Sequence, residues 1–99
     1  MVGRADPPSS SGPKFQLGSI VATPGALDAL THDEILTALS RHVRGDWGEL
    51  DEHDRRENEL SLREGFRLLS VYLSLKGVKF YVITEADRSV TTLLLPSEY

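Results

Sequence analysis

Two polar constellations in this chain hold the side-chain types that acid–base or anion-binding chemistry needs. One is Glu85-Ala86-Asp87-Arg88-Ser89, followed by Thr91 and Thr92. A carboxylate, a guanidinium and hydroxyls on one corner could bind an anion through Arg88 while Glu85 serves as a base. Ordinary turn chemistry uses the same residues: Asp87 and Ser89 cap backbone amides, and Arg88 pairs with a nearby acid. The other constellation is Arg41-His42-Val43-Arg44-Gly45-Asp46-Trp47-Gly48. A tryptophan between glycines has to pack or bind something, because its ring is too large to leave idle. Packing would make Trp47 a plug at the end of the core. His42 stands at the border of an apolar helix face, where a histidine serves either as a hydrogen-bonded core residue or as a general acid.

Other chemistries find no support. The chain has no cysteine, so disulfides and thiolate metal sites are excluded. His42, His53, Asp46 and Asp54 do not fall at spacings that define a metal site, and nothing resembles an EF-hand loop. There is no P-loop, glycine-rich dinucleotide fingerprint or nucleophile elbow, so neither metal nor cofactor is expected. A helix-turn-helix over 24–45 fails because its second helix would present Asp33 and Glu34 to the groove.

Charge points the same way. The net charge is −4, and residues 46–59 hold seven of the fifteen acids against only Arg55 and Arg56. The rest of the chain is nearly neutral. A phosphate-backbone binder would carry a basic face, so nucleic acid is not expected as a partner unless the corner is a nuclease site. The acidic segment suits a protein with a basic surface, and a solvated helix face explains it equally simply. No apolar run approaches the length of a membrane span and no signal-peptide pattern opens the chain, so the expected compartment is the cytoplasm.

The elements that must position these groups follow from pattern. Residues 1–13, rich in Pro, Ser and Gly, read as a flexible tail, and 14–99 as one domain. Lys14 to Thr23 alternates like a strand. Thr23-Pro24 opens a short helix over 24–30. Thr31 and Glu34 form a capping box for a second helix, with Leu30 and Ile35 as its hydrophobic staple and Gly45 as its left-handed end. A third helix runs from Asp51 or Glu52 to Glu64, poor in apolar residues. Four opposite-charge pairs at four-residue spacing lace it: Asp51–Arg55, Glu52–Arg56, Arg55–Glu59 and Glu59–Arg63.

Two hairpins close the chain. A two-residue turn at Lys76-Gly77 would pair Leu73 with Phe80 and Val71 with Val82, sending Leu69, Val71, Leu73, Phe80 and Val82 into the core. The last strand covers Val90 to Leu95 and stops at Pro96. The expected fold is α+β, in the order β-α-α-α-β-β-β, with an antiparallel sheet and helices on one face.

The motifs IVATPGAL, RHxxGDWG (with Asp54 and Asn58 downstream) and ITEADRSxTTxLLPxEY resemble a family of short bacterial proteins often met on plasmids and other mobile elements. The resemblance spans about residues 15–99. It implies a fold and a genetic setting, places Asp46, Trp47, Glu85, Asp87 and Arg88 in the family pattern, and brings no established activity.

Two functions compete on these grounds. The first is a non-enzymatic accessory protein that binds another protein through Asp46, Trp47, Glu52, Asp54 and Glu57, with Asp87 and Arg88 as further binding candidates. The second is a small nuclease-like enzyme with Glu85 as base, Arg88 on the phosphate and His42 as acid. It requires those three side chains to meet in one cleft.

Overall fold

A computed structural model describes residues 12–99. Most of the expected tail, residues 1–11, lies outside the described residues. The chain is an α+β domain with β1 (Ser19–Ala22), α1 (Pro24–Ala29), α2 (His32–Val43), α3 (Glu52–Glu64), β2 (Leu68–Leu73), β3 (Lys79–Thr84) and β4 (Val90–Leu94). A 3-10 turn at Pro96–Glu98 follows. The element order is the expected one.

Local chemistry sets the helix ends. The Thr23 hydroxyl accepts from the Ala26 amide, and Pro24 fills the first helical position, where no hydrogen bond is lost. The capping box at α2 is complete: Glu34 N–H donates to Thr31 Oγ1 at 3.1 Å, and Thr31 N–H to Glu34 Oε1 at 2.9 Å. Leu30 and Ile35 both join the central apolar cluster, as a staple requires. Asp51 caps α3 through the Asp54 amide, and α3 ends at Gly65.

The sheet order is β1-β4-β3-β2. Pairs β2–β3 and β3–β4 are antiparallel, but β1 lies parallel to β4, matching Ser19 with Val90 and Ala22 with Leu93. The sheet is therefore mixed rather than wholly antiparallel. Strand β1 is also shorter than the alternation suggested. Residues 14–18 leave the sheet, and Phe15 packs elsewhere.

The β2–β3 register differs by one residue from the expected one. Tyr72 faces Phe80, Ser70 faces Val82 and Leu68 faces Thr84. The cause is Ser74. Its hydroxyl accepts from the Lys76 and Val78 amides, its carbonyl from Gly77 N–H, and its own amide donates to Val78 O. These bonds close a three-residue loop, Leu75-Lys76-Gly77, with Gly77 at φ 83° as the left-handed residue of a bulge. A one-residue slip exchanges the faces of a strand. Leu68, Ser70 and Tyr72 consequently point to the core with Phe80, Val82, Thr84, Thr91 and Leu93, whereas Leu69, Val71 and Leu73 take the other face.

Helices α1 and α2 cover the core face through Ala26, Leu30, Ala38 and Leu39. Burial of each large side chain there stabilises by roughly 1.5–3 kcal/mol. Helix α3 instead lies along the outer edge of β2. Of the four charge pairs expected on it, only Glu52–Arg56 forms, at 3.4 Å. Arg55 donates to the Leu50 carbonyl and Glu59 accepts from Trp47, because nearer partners outcompete an exposed pair worth a few tenths of a kcal/mol.

Candidate functional site

His42 anchors a buried polar chain. Its ring is fully buried, with Nδ1 2.6 Å from Ser70 Oγ and Nε2 2.9 Å from Thr84 Oγ1. Thr84 Oγ1 lies 2.7 Å from Thr91 Oγ1, which donates to the Leu17 carbonyl at 2.7 Å. The proton order can be worked backward from that carbonyl, which only accepts. Thr91 spends its hydroxyl proton on Leu17, so Thr84 donates to Thr91. Thr84 then accepts from His42 Nε2–H, leaving Nδ1 bare to accept from Ser70. One tautomer satisfies every member. Desolvation, with a smaller contribution from the Arg88 charge, lowers the His42 pKa to about 3. A neutral, enclosed imidazole with both nitrogens engaged is a core residue.

Phe15 and Trp47 close over this ring. Phe15 meets His42 edge-on at 5.2 Å between centroids and lies near-parallel to Trp47 at 6.2 Å, while His42 and Trp47 are edge-on at 5.7 Å. Trp47 is fully buried, and its Nε1–H donates to Glu59 Oε2 at 2.7 Å. The tryptophan is thus a plug that fastens α3 to the core, not an exposed contact residue. Gly48 runs against β2 so closely that a Cβ would stand 2.0 Å from the Val71 carbonyl. Val71 N–H donates to Trp47 O and Glu49 N–H to Val71 O, making the loop a pseudo-strand. Asp46 accepts both Arg41 Nε–H at 2.7 Å and Nη2–H at 3.2 Å. That pairing, with the Gly48 amide as a smaller aid, lowers the Asp46 pKa. The Asp46 carbonyl receives the Tyr72 hydroxyl.

The 85–89 corner is held from within. Arg88 has φ 61° and turns its guanidinium onto carbonyls: Phe66 at 2.7 Å, Glu85 at 3.1 Å, Ala86 at 3.3 Å and Ser61 at 3.3 Å. Ser61 belongs to the last turn of α3 and Phe66 follows it, so Arg88 places a cation at the negative end of that helix. Asp87 accepts from Ser89, side chain first and backbone second, which lowers its pKa. Glu85 follows Thr84 and turns away from the core to pair with Arg67 at 3.1 Å.

His42, Glu85 and Arg88 therefore do not converge. The histidine is enclosed on the core face, the glutamate is ion-paired on the opposite face, and the arginine turns Nη1 and Nη2 onto backbone carbonyls. Glu52, Asp54 and Glu57 are all exposed on α3, but the helical repeat puts only Asp54 and Glu57 on one side, and Glu52 lies round the helix beside Arg56, with which it pairs. Among the described residues, no group of three or more His, Asp or Glu side chains gathers where it could hold a metal ion, and no helix is long and apolar enough to cross a membrane.

Two hollows remain. A groove of about 550 Å³ lies between α2 and the β2–β3 hairpin, floored by Ala38, Tyr72 and Phe80. Part of its polar lining is engaged: Glu34 accepts from Thr31 and Leu75, Arg41 holds Asp46 and lies 4.5 Å over the Tyr72 ring, and Ser74 closes the hairpin. A shallower hollow of about 230 Å³ on the opposite face is lined by Arg67, Glu85, Glu98 and Tyr99 among others.

Sequence reasoning missed Asn58 and the serine–threonine chain. Asn58 is buried and pairs both its amide groups with Leu69, donating to the carbonyl at 2.8 Å and accepting from the N–H at 3.0 Å. An asparagine in the middle of a charged helix was the signal. The geometry defines a small α+β domain with a mixed sheet and an internally satisfied polar core. No family model matches the chain, and no curated protein or solved structure is similar to it.

Proposed function

We propose that the chain is a non-catalytic accessory protein that acts by binding another protein, with the outer face of α3 as its contact surface. One observation carries this reading. Helix α3 is fastened by polar anchors, Asn58 to Leu69 and Glu59 to Trp47, while Glu52, Asp54 and Glu57 stay exposed on it, Asp54 and Glu57 on one side. Carboxylates on a pre-positioned helix need little ordering on binding and suit a partner with a basic surface. The family resemblance supplies the setting, a plasmid or other mobile element, and the cytoplasm is the compartment in which the partner is sought. The nuclease alternative has no observation in its favour, since its three residues are apart and engaged.

The test is recovery of a partner from host lysate by the wild type and by the triple variant Glu52→Lys, Asp54→Lys, Glu57→Lys. All three positions are exposed, so the variant keeps its fold. Loss of the partner on charge reversal, together with weaker binding at high salt, supports the proposal. A partner retained by the triple variant overturns it.

A further inference from the structure

The two edges of the sheet are treated in opposite ways. The β2 edge is sealed by the Trp47–Glu49 pseudo-strand and by the Asn58 amide, which meets Leu69 as a neighbouring strand would. The β1 edge has no such cover among the described residues. Ser19 N–H donates to Ser89 O and Thr23 N–H to Leu93 O, so the odd-numbered residues of β1 turn their amides toward β4. In a parallel ladder the alternate residues point away. Ile20 and Ala22 thus direct their N–H and C=O groups outward.

Edges left open are commonly guarded by charge, proline or a bulge. Strand β1 reads Ser-Ile-Val-Ala and has none of these within it. Ile20 and Val21 are 45% and 47% exposed, well above what a strand core residue shows. An unguarded, neutral, apolar edge with aligned backbone donors and acceptors is complementary to another strand.

We infer that β1 pairs antiparallel with β1 of a second copy of this chain, about a two-fold axis beside Val21. Such an interface is isologous, so one edge supplies both halves. The register follows from the outward groups. Opposing Ile20 to Ala22 of the mate uses every outward group within Ser19–Ala22 and sets Val21 against its own counterpart. Other registers would draw on Pro24, which has no N–H, or on Gly18 outside the strand.

Charge favours a second copy as the occupant. The acidic helix α3 lies at the far, β2 edge. With strands about 4.8 Å apart, joining two β1 edges separates the two β2 strands by about 34 Å, far beyond the Debye length of about 8 Å at physiological salt. The net charge of −4 therefore does not oppose this contact, whereas pairing through the β2 side would bring the two acidic helices together. This inference does not rest on the α3 reading, because the two surfaces lie on opposite edges.

The experiment is sedimentation equilibrium of the full chain with two variants. Ile20→Pro removes an outward N–H and leaves the ladder to β4 intact; Val21→Lys places a charge beside the axis. Both are checked for a cooperative melt. The wild type is expected to show a concentration-dependent dimer, and each variant to weaken it at least tenfold. A second readout uses the absence of native cysteine. Val21→Cys should oxidise to a linked dimer, since directly opposed residues of a non-hydrogen-bonded antiparallel pair have Cα atoms about 4.5 Å apart, within disulfide reach. A wild type that stays monomeric, a dimer insensitive to either variant, or cross-linking of Leu73→Cys in place of Val21→Cys overturns the inference.

Discussion

The buried histidine makes acid stability the sharpest test of the polar core. His42 is neutral in the fold with a pKa of about 3, against an ordinary value of 6.5 in the unfolded chain. The unfolded state therefore binds the proton first. The stability this group contributes is complete above pH 6.5 and is lost as pH falls toward 3. The slope in that window is about 1.4 kcal/mol per pH unit. From pH 7.5 to 4.5 the loss is about 2.7 kcal/mol, a large share of a domain expected to hold only about 4–13 kcal/mol. The depressed carboxylates Asp46, Glu34, Asp87 and Glu98 lose their contribution lower, as pH falls below their ordinary values near 4. Urea unfolding of the wild type and of His42→Asn, followed from pH 7.5 to 4.5, separates the groups. The variant should be less stable at pH 7.5 by about 2–4 kcal/mol, from lost packing and from hydroxyls left partly unpaired. Its stability should then change little down to pH 5. A wild type that is flat from 6.5 to 4.5, or a variant with the same slope, would refute an enclosed neutral His42.

Three substitutions probe the loops. Arg88→Asn keeps a residue that tolerates positive φ but removes the guanidinium from the Ser61, Phe66, Glu85 and Ala86 carbonyls, so a loss of about 1.5–3 kcal/mol in urea unfolding is expected; a change under about 0.5 kcal/mol would mean the arginine is free for a ligand. Gly48→Ala and Gly77→Ala both place Ala at positive φ, but only the former meets a neighbour, so thermal melts should show Gly48→Ala the costlier by at least about 1–3 kcal/mol; equal losses would contradict the close approach to Val71.

The helices were legible because their signals are local. The Thr31–Glu34 capping box, the Thr23-Pro24 start and the Gly65 stop each specify an end within a few residues. The core face of β2 was hidden because Ser70, at its centre between Leu68 and Tyr72, is polar. Ser70, Thr84 and Thr91 are buried only because His42, far away in sequence, supplies the partner that makes their burial tolerable. Leu69, Val71 and Leu73 looked like the better core stripe for that reason, and Lys76-Gly77 looked like a two-residue turn because the Ser74 hydroxyl that lengthens it leaves no periodic trace. The parallel placement of β1 was equally invisible, since alternation reports a strand's face and not its neighbour. The meeting of His42, Glu85 and Arg88 that the nuclease alternative required fails through the same parity: Thr84 faces the histidine, so Glu85 cannot.

The parallel pairing of β1 with β4 also carries a history of assembly. Strands β2, β3 and β4 close through short hairpins, and the Asn58 seal joins residues close in sequence, whereas Ser19 must find Val90 across nearly the whole domain. Closing a loop of about 70 residues rather than about 6 costs roughly 2 kcal/mol more in chain entropy. The three-stranded meander with α3 at its side is therefore the part that can form first, and β1 is the last strand to dock and the first to leave. Amide exchange should follow that order, with Val21 losing protection before Val82; the reverse order would exclude it. While β1 is away, the β4 edge stands open, and β1 of another copy can make the same backbone bonds there, in proportion to the protein concentration.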